Sequence, residues 1–442
     1  MEHCSINKIA KKLIKLIPLA ILIIGILVRL IYCYSFGYQN YQHDQESHKL
    51  YIQFVGDNLS LPGVDKELEY PQQPLYYIIA GIIYRFLTNF SIEKGLIFKS
   101  LAWLSMFFSI GTLIFTYFLT KKIAKQIWLQ SFIIGLIAFT PAFVYQAGMI
   151  GNDTILAFFA SGAFFFLTNF IKNNQTKNIA LAIIFTSLAT FTKISGGILF
   201  FIILLILFYK LKTEYHSKKF YLKLIIITFL SGLLCLGLFL YRAYLPDVEK
   251  FRFIESYAWK GQETNPTNLS YFFNFQFAKL LKVGESYVFG DENIAKTFPT
   301  FLYGSFLFGE YSYKNISNTY PFVKILMQFI ILLGLLFPIG IIVNFFFLKK
   351  WSPIDYMSAF GVIINLILII LFIYKYPSVC NSDFRYFSPI FLGIIVMSAN
   401  GLYRLNEKLR NKVVIPALSF ILISSELCWI ITRITIKIFI NI

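Results

Sequence analysis

Long apolar runs recur along the whole chain, and they constrain its fold more than any other feature. A helical run of about 20 apolar residues matches the roughly 30 Å hydrocarbon core of a bilayer, and a chain crosses lipid only as a helix or a closed barrel. The pattern predicts an all-α polytopic membrane protein with about 11 transmembrane helices. The eleven runs lie near 13–33, 95–120, 127–147, 153–171, 178–192, 195–209, 220–243, 322–348, 354–374, 386–403 and 413–432.

Composition agrees with a membrane protein. Hydrophobic residues make up 57% of the chain and charged residues only 14%, whereas soluble domains are nearer half and a quarter. The net charge of +18 could indicate nucleic-acid binding, but Lys and Arg gather in short loops between the runs, as the positive-inside rule requires. We therefore expect the lipid bilayer as a partner and no nucleic acid. The five scattered cysteines predict neither a metal site nor a redox motif.

The first apolar run resembles a signal peptide, but it is too long and lacks a small-residue cleavage site. We interpret it as a retained first span with a cytoplasmic N-terminus. The expected location is the bacterial cytoplasmic (inner) membrane.

One further apolar segment, 75–87, is ambiguous because as a helix it reaches only about 20 Å. If it does not cross, every basic cluster between spans falls on one side of the membrane; if it crosses, all clusters after the first fall opposite to it. The first alternative obeys the positive-inside rule, so we predict an interfacial helix in the first outer loop, entered through Pro74. The clusters are Lys8, Lys11, Lys12 and Lys15; Lys121, Lys122 and Lys125; Lys172 and Lys177; Lys210, Lys212, Lys218 and Lys219; Lys349 and Lys350; Arg404, Lys408, Arg410 and Lys412.

This topology leaves two long segments outside, 34–94 and 244–321. We predict three parts: a transmembrane module over 1–243 that includes the outer loop 34–94, an outer (periplasmic) loop over 244–321, and C-terminal transmembrane helices over 322–442. The inside loops are short and contain no phosphate-binding or dinucleotide-binding glycine motif. Function is therefore expected at the outer face.

The outer stretch "YQNYQHDQESHKLYIQF" at 38–54 gathers titratable residues in an otherwise apolar chain. At 100° per residue, a helix here places Asp44 and His48 on one packed face and Glu46 on the opposite, solvated face. A buried acid and imidazole are costly unless they are paired or used. The alternative is that Asp44 only caps the helix.

A second acidic position opens the helix after the third span, at Asn152 and Asp153 in "GMIGNDTILAFF". The alternative is again a helix cap.

Three basic residues lie at outer helix ends, against the charge rule: Lys193, Arg242 and Arg385, the last followed by Tyr386. They could snorkel to lipid headgroups. Three cations on one face near two acidic positions favour an anionic ligand instead.

The order of these elements resembles the GT-C superfamily of membrane glycosyltransferases, in particular its protein-O-mannosyltransferase-like branch. The elements are "HDQESHKLYIQF", "LSLPGVDKELEYPQQPLYYIIAGIIYRF", "GMIGNDTILAFF", "TKISGG" and "DFRYFSPIF". The resemblance covers about the first 210 residues well and the last 120 only through Arg385 and Tyr386. It does not cover 244–321.

The resemblance implies a GT-C-like fold with 1–243 as the catalytic module. It also implies an inverting glycosyltransferase that uses a polyprenyl-phosphate-linked sugar donor and an unknown acceptor. Asp44 takes the family's catalytic position with His48 beside it, and Asp153 takes its second acidic position. We expect Lys193, Arg385, Tyr386 and Arg242 to bind the donor phosphate. A divalent ion, Mg²⁺ or Mn²⁺, at Asp44 and Asp153 stays open, because this chain has Asp44-Gln45 where many members have Asp-Glu.

One carboxylate with basic helpers suits transfer from a phosphate leaving group, since a hydrolytic glycosidase needs two facing carboxylates. The rival functions are a transporter or flippase of lipid-linked or sugar substrates, and a non-catalytic glycan-assembly protein of the same fold. Transporters place charges near the bilayer midplane, whereas charge here gathers at outer helix ends. Glu426 in the last span is the exception, and it either pairs with Arg433 or faces the bundle.

Overall fold

The computed structural model describes residues 13–38, 44–63, 72–213, 218–244, 264–282, 297–309 and 319–440. Within these ranges the chain forms helices and short connections without any strand, which confirms the predicted all-α class. The helices are α1 Ile17–Phe36, α2 Gln45–Asn58, α3 Leu75–Asn89, α4 Lys94–Ile123, α5 Ile127–Phe139, α6 Pro141–Ala147, α7 Asp153–Asn173, α8 Thr176–Thr192, α9 Ile198–Thr213, α10 Lys218–Tyr244, α11 Ser270–Phe273, α12 Phe277–Leu281, α13 Phe298–Phe308, α14 Pro321–Gly334, α15 Leu336–Phe346, α16 Pro353–Lys375, α17 Phe391–Lys408 and α18 Val414–Ile440.

Each predicted apolar run lies on a helix, but the predicted count of about 11 spans is not confirmed. In the described ranges, eight spans are long and apolar enough to cross a membrane, or nine if the bent pair α5 and α6 counts as one. The two remaining runs fall short for different reasons. Helix α8 has 17 residues and reaches about 25 Å, and α17 carries Arg404, Glu407 and Lys408 near its end.

The segment predicted to be interfacial is α3, a helix of 15 residues that begins directly after Pro74. It is not among the helices long enough to span a bilayer. It packs against α2 and α4, and Gly56 and Gly81 let α2 and α3 approach closely, since a Cβ on Gly81 would lie 2.7 Å from Val55. The first outer segment is thus a packed helix pair in which α2 carries the predicted acidic residue.

A break between α5 and α6 bends the chain by 50° at Thr140 and Pro141. Proline has no N–H and interrupts the helical ladder, which frees the carbonyls one turn before it. Arg29 of α1 is fully buried and donates hydrogen bonds to these carbonyls. Its Nη2 donates to Ile137 O at 2.7 Å and its Nη1 to Ala138 O at 2.9 Å. The bend lies shortly before α7, which begins at Asp153.

Parts of 264–309 pack firmly against the C-terminal helices rather than forming an open loop. Phe306 and Phe308 of α13 are buried, and Ser305 Oγ accepts the backbone N–H of Phe384 at 2.9 Å. Tyr271 and Ser382 also share a hydrogen bond of 2.6 Å. These contacts hold the turn that presents Arg385.

The topology can be tested at Ser91, an exposed residue in the turn between α3 and α4. In a variant without the natural cysteines, we expect Ser91→Cys to react with a membrane-impermeant maleimide in intact cells, because α3 does not cross. Lys122→Cys, at the end of α4, is the matched control and should stay protected. Protection at 91 together with labelling at 122 would overturn this orientation.

Candidate functional site

Asp44 forms an ion pair with Arg385, 341 residues away along the chain. Arg385 Nη1 lies 3.1 Å from Asp44 Oδ2, and the side chains are 16% and 39% exposed respectively. Asp44 occupies the N-cap position of α2, but its side chain makes no capping hydrogen bond. The capping alternative therefore does not explain this carboxylate.

Arg385 is held by a short 3₁₀ turn, Phe384–Phe387, before α17. The side chain of Asp383 caps this turn by accepting the backbone N–H of Arg385 at 2.6 Å. Tyr386 follows, and its ring centre lies 5.4 Å from the Arg385 guanidinium carbon and 5.6 Å from Lys193 Nζ. Tyr386 thus contacts both cations at cation–π distance.

Asp153 forms the second ion pair, with Lys193 Nζ 2.8 Å from Asp153 Oδ1. Asp153 is the first residue of α7, and Lys193 directly follows α8. The tight 3₁₀ turn Ile194–Gly197 comes next, where a Cβ on Gly196 would lie 2.5 Å from the Ala189 backbone. Glycine is required at that close approach, and the turn aims Lys193 at α7.

His48 lies between the two pairs and is buried. Its Nδ1 is 2.8 Å from the Tyr77 hydroxyl, and Tyr51 stacks on Tyr77 with ring centres 3.6 Å apart. On the other side, a Cβ on Gly151 would lie 3.4 Å from His48 Nε2. Burial lowers the pKa of His48 to about 4, Asp44 and Asp153 oppose that shift, and Lys193 and Arg385 add to it. The imidazole is therefore neutral at physiological pH.

Asp44, His48, Asp153 and Arg385 line one pocket of about 330 Å³ that is open on one side. Two carboxylates and two cations balance their charges around it. Residues predicted from distant parts of the sequence thus meet at one place, which joins the predicted 1–243 module to the C-terminal helices.

Three other predictions have different outcomes. Glu46 faces solvent as predicted, with its side chain 77% exposed, and pairs with Lys49 at 2.5 Å. Asn152 is buried beside the pocket but does not line it, and its side chain donates to Gln72 and weakly to Thr192 O. The side chain of Arg242 lies outside the described part of the chain.

The sequence reasoning missed three residues that order the site: Tyr77, Gln72 and Gln45. Gln45, which is buried, accepts the N–H of Ile150 at 3.2 Å and so ties α2 to the turn before Asp153. The quoted "PQQPLYY" element contains Gln72 and Tyr77, but nothing local in it indicates that they would contact Asn152 and His48.

The sequence left open a divalent ion at the two carboxylates of this pocket. Each is already paired with a cation, and no group of three His, Cys, Asp or Glu side chains suited to a metal occurs among the described residues. A divalent ion at Asp44 and Asp153 stays a prediction of the sequence.

Comparison with known proteins supports the resemblance seen in the sequence. Residues 82–245 match the model of the dolichyl-phosphate-mannose-protein mannosyltransferase family. The predicted GT-C resemblance is therefore confirmed over that part of the chain. The chain has no significant match among curated protein sequences.

The chain is similar to solved structures at low sequence identity, and the one with a TM-score of 0.50 supports the fold. The apo oligosaccharyltransferase of Archaeoglobus fulgidus aligns over 95% of this chain and 56% of its own, with 15% identity and a TM-score of 0.50. The archaeal oligosaccharyltransferase AglB from that organism, in complex with an inhibitory peptide and a dolichol-phosphate, covers 94% and 56% with 13% identity and a TM-score of 0.48. ArnT from Cupriavidus metallidurans bound to undecaprenyl phosphate covers 88% and 80% with 11% identity and a TM-score of 0.40. The chain thus spans little more than half of the archaeal proteins.

The buried neutral His48 predicts an acid-sensitive fold. Its folded pKa of about 4 lies below the ordinary value of 6.5, so the unfolded chain binds more protons between these values and stability falls as pH falls through them. The full contribution is on the order of 3 kcal/mol. When the pH is lowered from 7 to 5, we expect the melting temperature of His48→Gln to fall by less than that of wild type.

Wild type and His48→Gln share every other titrating group, so the difference between their two pH profiles isolates the imidazole. Parallel profiles would contradict a buried neutral His48.

Proposed function

We propose that this protein is an inverting glycosyltransferase that moves a sugar from a polyprenyl-phosphate-linked donor to an acceptor at the outer face of the membrane. The observation that carries the proposal is the Asp44 carboxylate, which faces a pocket shared with His48, Asp153 and Arg385 and is not used as a helix cap. The match to the mannosyltransferase family supports it.

Asp44 acts as the general base in this proposal. The acceptor hydroxyl gives its proton to the Asp44 carboxylate while its oxygen attacks the sugar C1. The bond between C1 and the phosphate oxygen breaks on the opposite face, and the phosphate leaves as an anion with the bonding electrons. A phosphate needs no general acid to leave, so a single carboxylate suffices.

Arg385 and Lys193 receive the departing phosphate. Both cations are paired with carboxylates, so the donor phosphate has to compete with Asp44 for Arg385 and with Asp153 for Lys193. A phosphate that takes over Arg385 releases Asp44 from its partner and raises its basicity. Donor binding therefore prepares the base, and the cations then stabilise the charge that develops on the leaving group.

His48 orients the acceptor in this mechanism. The Tyr77 hydroxyl lies 3.4 Å from Gln72 Oε1 and can donate its only proton there. His48 Nδ1 then donates to Tyr77, which leaves Nε2 as a hydrogen-bond acceptor. A neutral imidazole in that tautomer can accept a hydrogen bond from a second hydroxyl of the acceptor, while the attacking hydroxyl gives its proton to Asp44.

Transport is the second candidate, because α5 and α6 form a broken helix and Glu426 lies buried beside it. Broken helices bind substrates in many transporters through their free backbone groups. Here Arg29 occupies two of those carbonyls, and Glu426 Oε1 accepts a hydrogen bond from Thr140 at 3.1 Å. Glu426 thus faces the bundle, and these contacts favour a structural role for the break.

The donor in this proposal is any sugar linked to a polyprenyl phosphate, and the protein lies in the bacterial inner membrane. The acceptor is a lipid, glycan or protein that presents a hydroxyl at the outer surface. Lipid-linked sugar turnover by purified protein separates the enzyme from a transporter or a non-catalytic assembly protein.

The base can be tested with Asp44→Asn. Asparagine keeps the shape and size of the side chain and removes only its negative charge, so we expect a folded protein whose sugar transfer falls about 10²–10⁴-fold. Glu46→Gln, two residues away on the exposed face, is the matched control and should transfer normally. Near-normal transfer by Asp44→Asn would remove Asp44 from catalysis, and an inactive Glu46→Gln would move the role to Glu46.

The phosphate site can be tested with Arg385→Lys. An ammonium cannot reproduce the planar bidentate contacts of a guanidinium, so we expect the KM for the donor to rise at least about tenfold while expression is unchanged. Lys193→Gln should weaken donor use as well. Arg85→Lys, which replaces an arginine bonded to Gly56 O on the outer segment, should leave KM unchanged. An unaltered KM in both site variants would argue for headgroup anchoring instead.

A further inference from the structure

A second pocket lies at the opposite end of the bundle from the candidate active site. It encloses about 1,340 Å³, part of it open to solvent, where three chain connections meet. These are the link between α4 and α5, the link between α15 and α16, and the end of α17. Four cations line it: Lys125, Lys350, Arg404 and Lys408. All four belong to clusters that the charge rule places on the inner side.

The floor of this inner pocket is a buried polar network around Asp355, which is 1% exposed. Arg404 Nη2 lies 3.1 Å from Asp355 Oδ2, and Asn400 Nδ2 donates to Asp355 Oδ1 at 2.8 Å. Arg404 also donates to Asn344 Oδ1 at 2.6 Å and to Lys350 O at 3.0 Å. Arg404 is thus a positioning residue that holds the turn carrying Lys350.

Close backbone packing makes this floor rigid. Helices α15 and α17 touch at Gly340 and Gly401, where a Cβ on Gly401 would lie 1.8 Å from Gly340 O. Ser352 and Asp355 form a reciprocal capping box at the start of α16. The helices around the pocket are therefore closely packed, and Lys125 and Lys350 lie in the connections between them.

The three lysines of the inner pocket form no ion pair with any described residue, in contrast to Lys193 and Arg385 at the outer site. Lys408 Nζ lies 4.4 Å from the centre of the Phe347 ring, which also lines the pocket. Of the two acids in the lining, Asp355 is engaged by Arg404, and Glu407 is 3.7 Å from Lys412. Lysines from three separate connections thus line one cavity, and none of the three has a carboxylate partner among the described residues.

Two simpler explanations account for only part of this arrangement. Lysines near helix C-termini interact favourably with the helix dipole, and the charge rule collects lysines in inner loops. Neither requires lysines from three separate connections to line one cavity. Lys349, adjacent to Lys350, satisfies both explanations equally well but does not line the pocket.

We propose that this inner pocket binds a phosphate group, with Lys125, Lys350 and Lys408 as its contacts. Ammonium groups are common phosphate ligands, and the hydroxyl of Tyr403 and the amide of Gln126 supply further polar groups in the lining. Basic pockets between transmembrane helices at the inner headgroup level bind anionic lipids. The phosphate is carried either by such a lipid headgroup or by a soluble molecule.

The test compares wild type with the triple variant Lys125→Gln, Lys350→Gln and Lys408→Gln. Purified proteins are titrated in detergent with phosphatidylglycerol, with phosphatidylcholine and separately with inorganic phosphate. Melting temperature and retained lipid by native mass spectrometry are the readouts. Each lysine that is removed should lower the affinity about fivefold. We therefore expect the triple variant to bind phosphatidylglycerol or inorganic phosphate on the order of a hundredfold more weakly. Lys349→Gln should bind like wild type.

The titrations with phosphatidylglycerol and with inorganic phosphate identify the source of the phosphate, and phosphatidylcholine, which carries no net charge, is the control lipid. Saturable stabilisation by phosphatidylglycerol, lost in the triple variant, assigns the site to a lipid headgroup, and the same result with inorganic phosphate assigns it to a soluble ligand. Equal ligand-free melting temperatures of wild type and the triple variant exclude a folding defect. The proposal fails if neither phosphate ligand stabilises wild type, or if Lys349→Gln loses as much affinity as the triple variant.

Discussion

The guanidinium of Arg29 makes a broken helix tolerable inside the membrane, and the outer site depends on that break. Backbone groups freed within hydrocarbon must find partners inside the protein. Pro141 frees carbonyls at the end of α5, and Arg29 supplies donors to Ile137 and Ala138. Arg29 Nε also donates to Ser109 Oγ of α4 at 2.8 Å. One buried cation thus joins α1, α4 and α5 at the break.

The cations at the two ends of the helix bundle differ in whether they have carboxylate partners. At the outer end each cation of the site has a carboxylate partner, as in Asp44–Arg385 and Asp153–Lys193. Such pairs lower the cost of charges in a partly buried place, and they also set the competition that an anionic ligand must win. At the inner end Arg404 is paired with Asp355, whereas Lys125, Lys350 and Lys408 form no ion pair with any residue that the structure describes. At the outer site an incoming phosphate has to displace a carboxylate from Arg385 or Lys193. At the inner pocket the proposed phosphate would displace no carboxylate from the three lysines.

Much of this arrangement could be predicted because it is local in sequence. Apolar length predicted the helices, and the helical period placed His48 on a buried face and Glu46 on an exposed one, as the structure has them. The span count was less secure because length and composition do not separate a short membrane helix from a packed one, as α8 and α17 illustrate. The role of Arg29 could not be predicted from its position, because a lone arginine in an apolar run does not indicate which carbonyls accept its hydrogen bonds.

By itself, the sequence determined the all-helical membrane class, the packed face of α2 and the set of charged residues available at each end. Only the tertiary structure decided their partners. Asp44 could equally have capped its own helix, and it pairs instead with a residue 341 positions away. Lys350 and Lys408 line one cavity where α15 and α17 pack at Gly340 and Gly401, and the distant link between α4 and α5 adds Lys125. Periodicity acts within one helix, whereas these pairings depend on how helices from distant parts of the chain pack together.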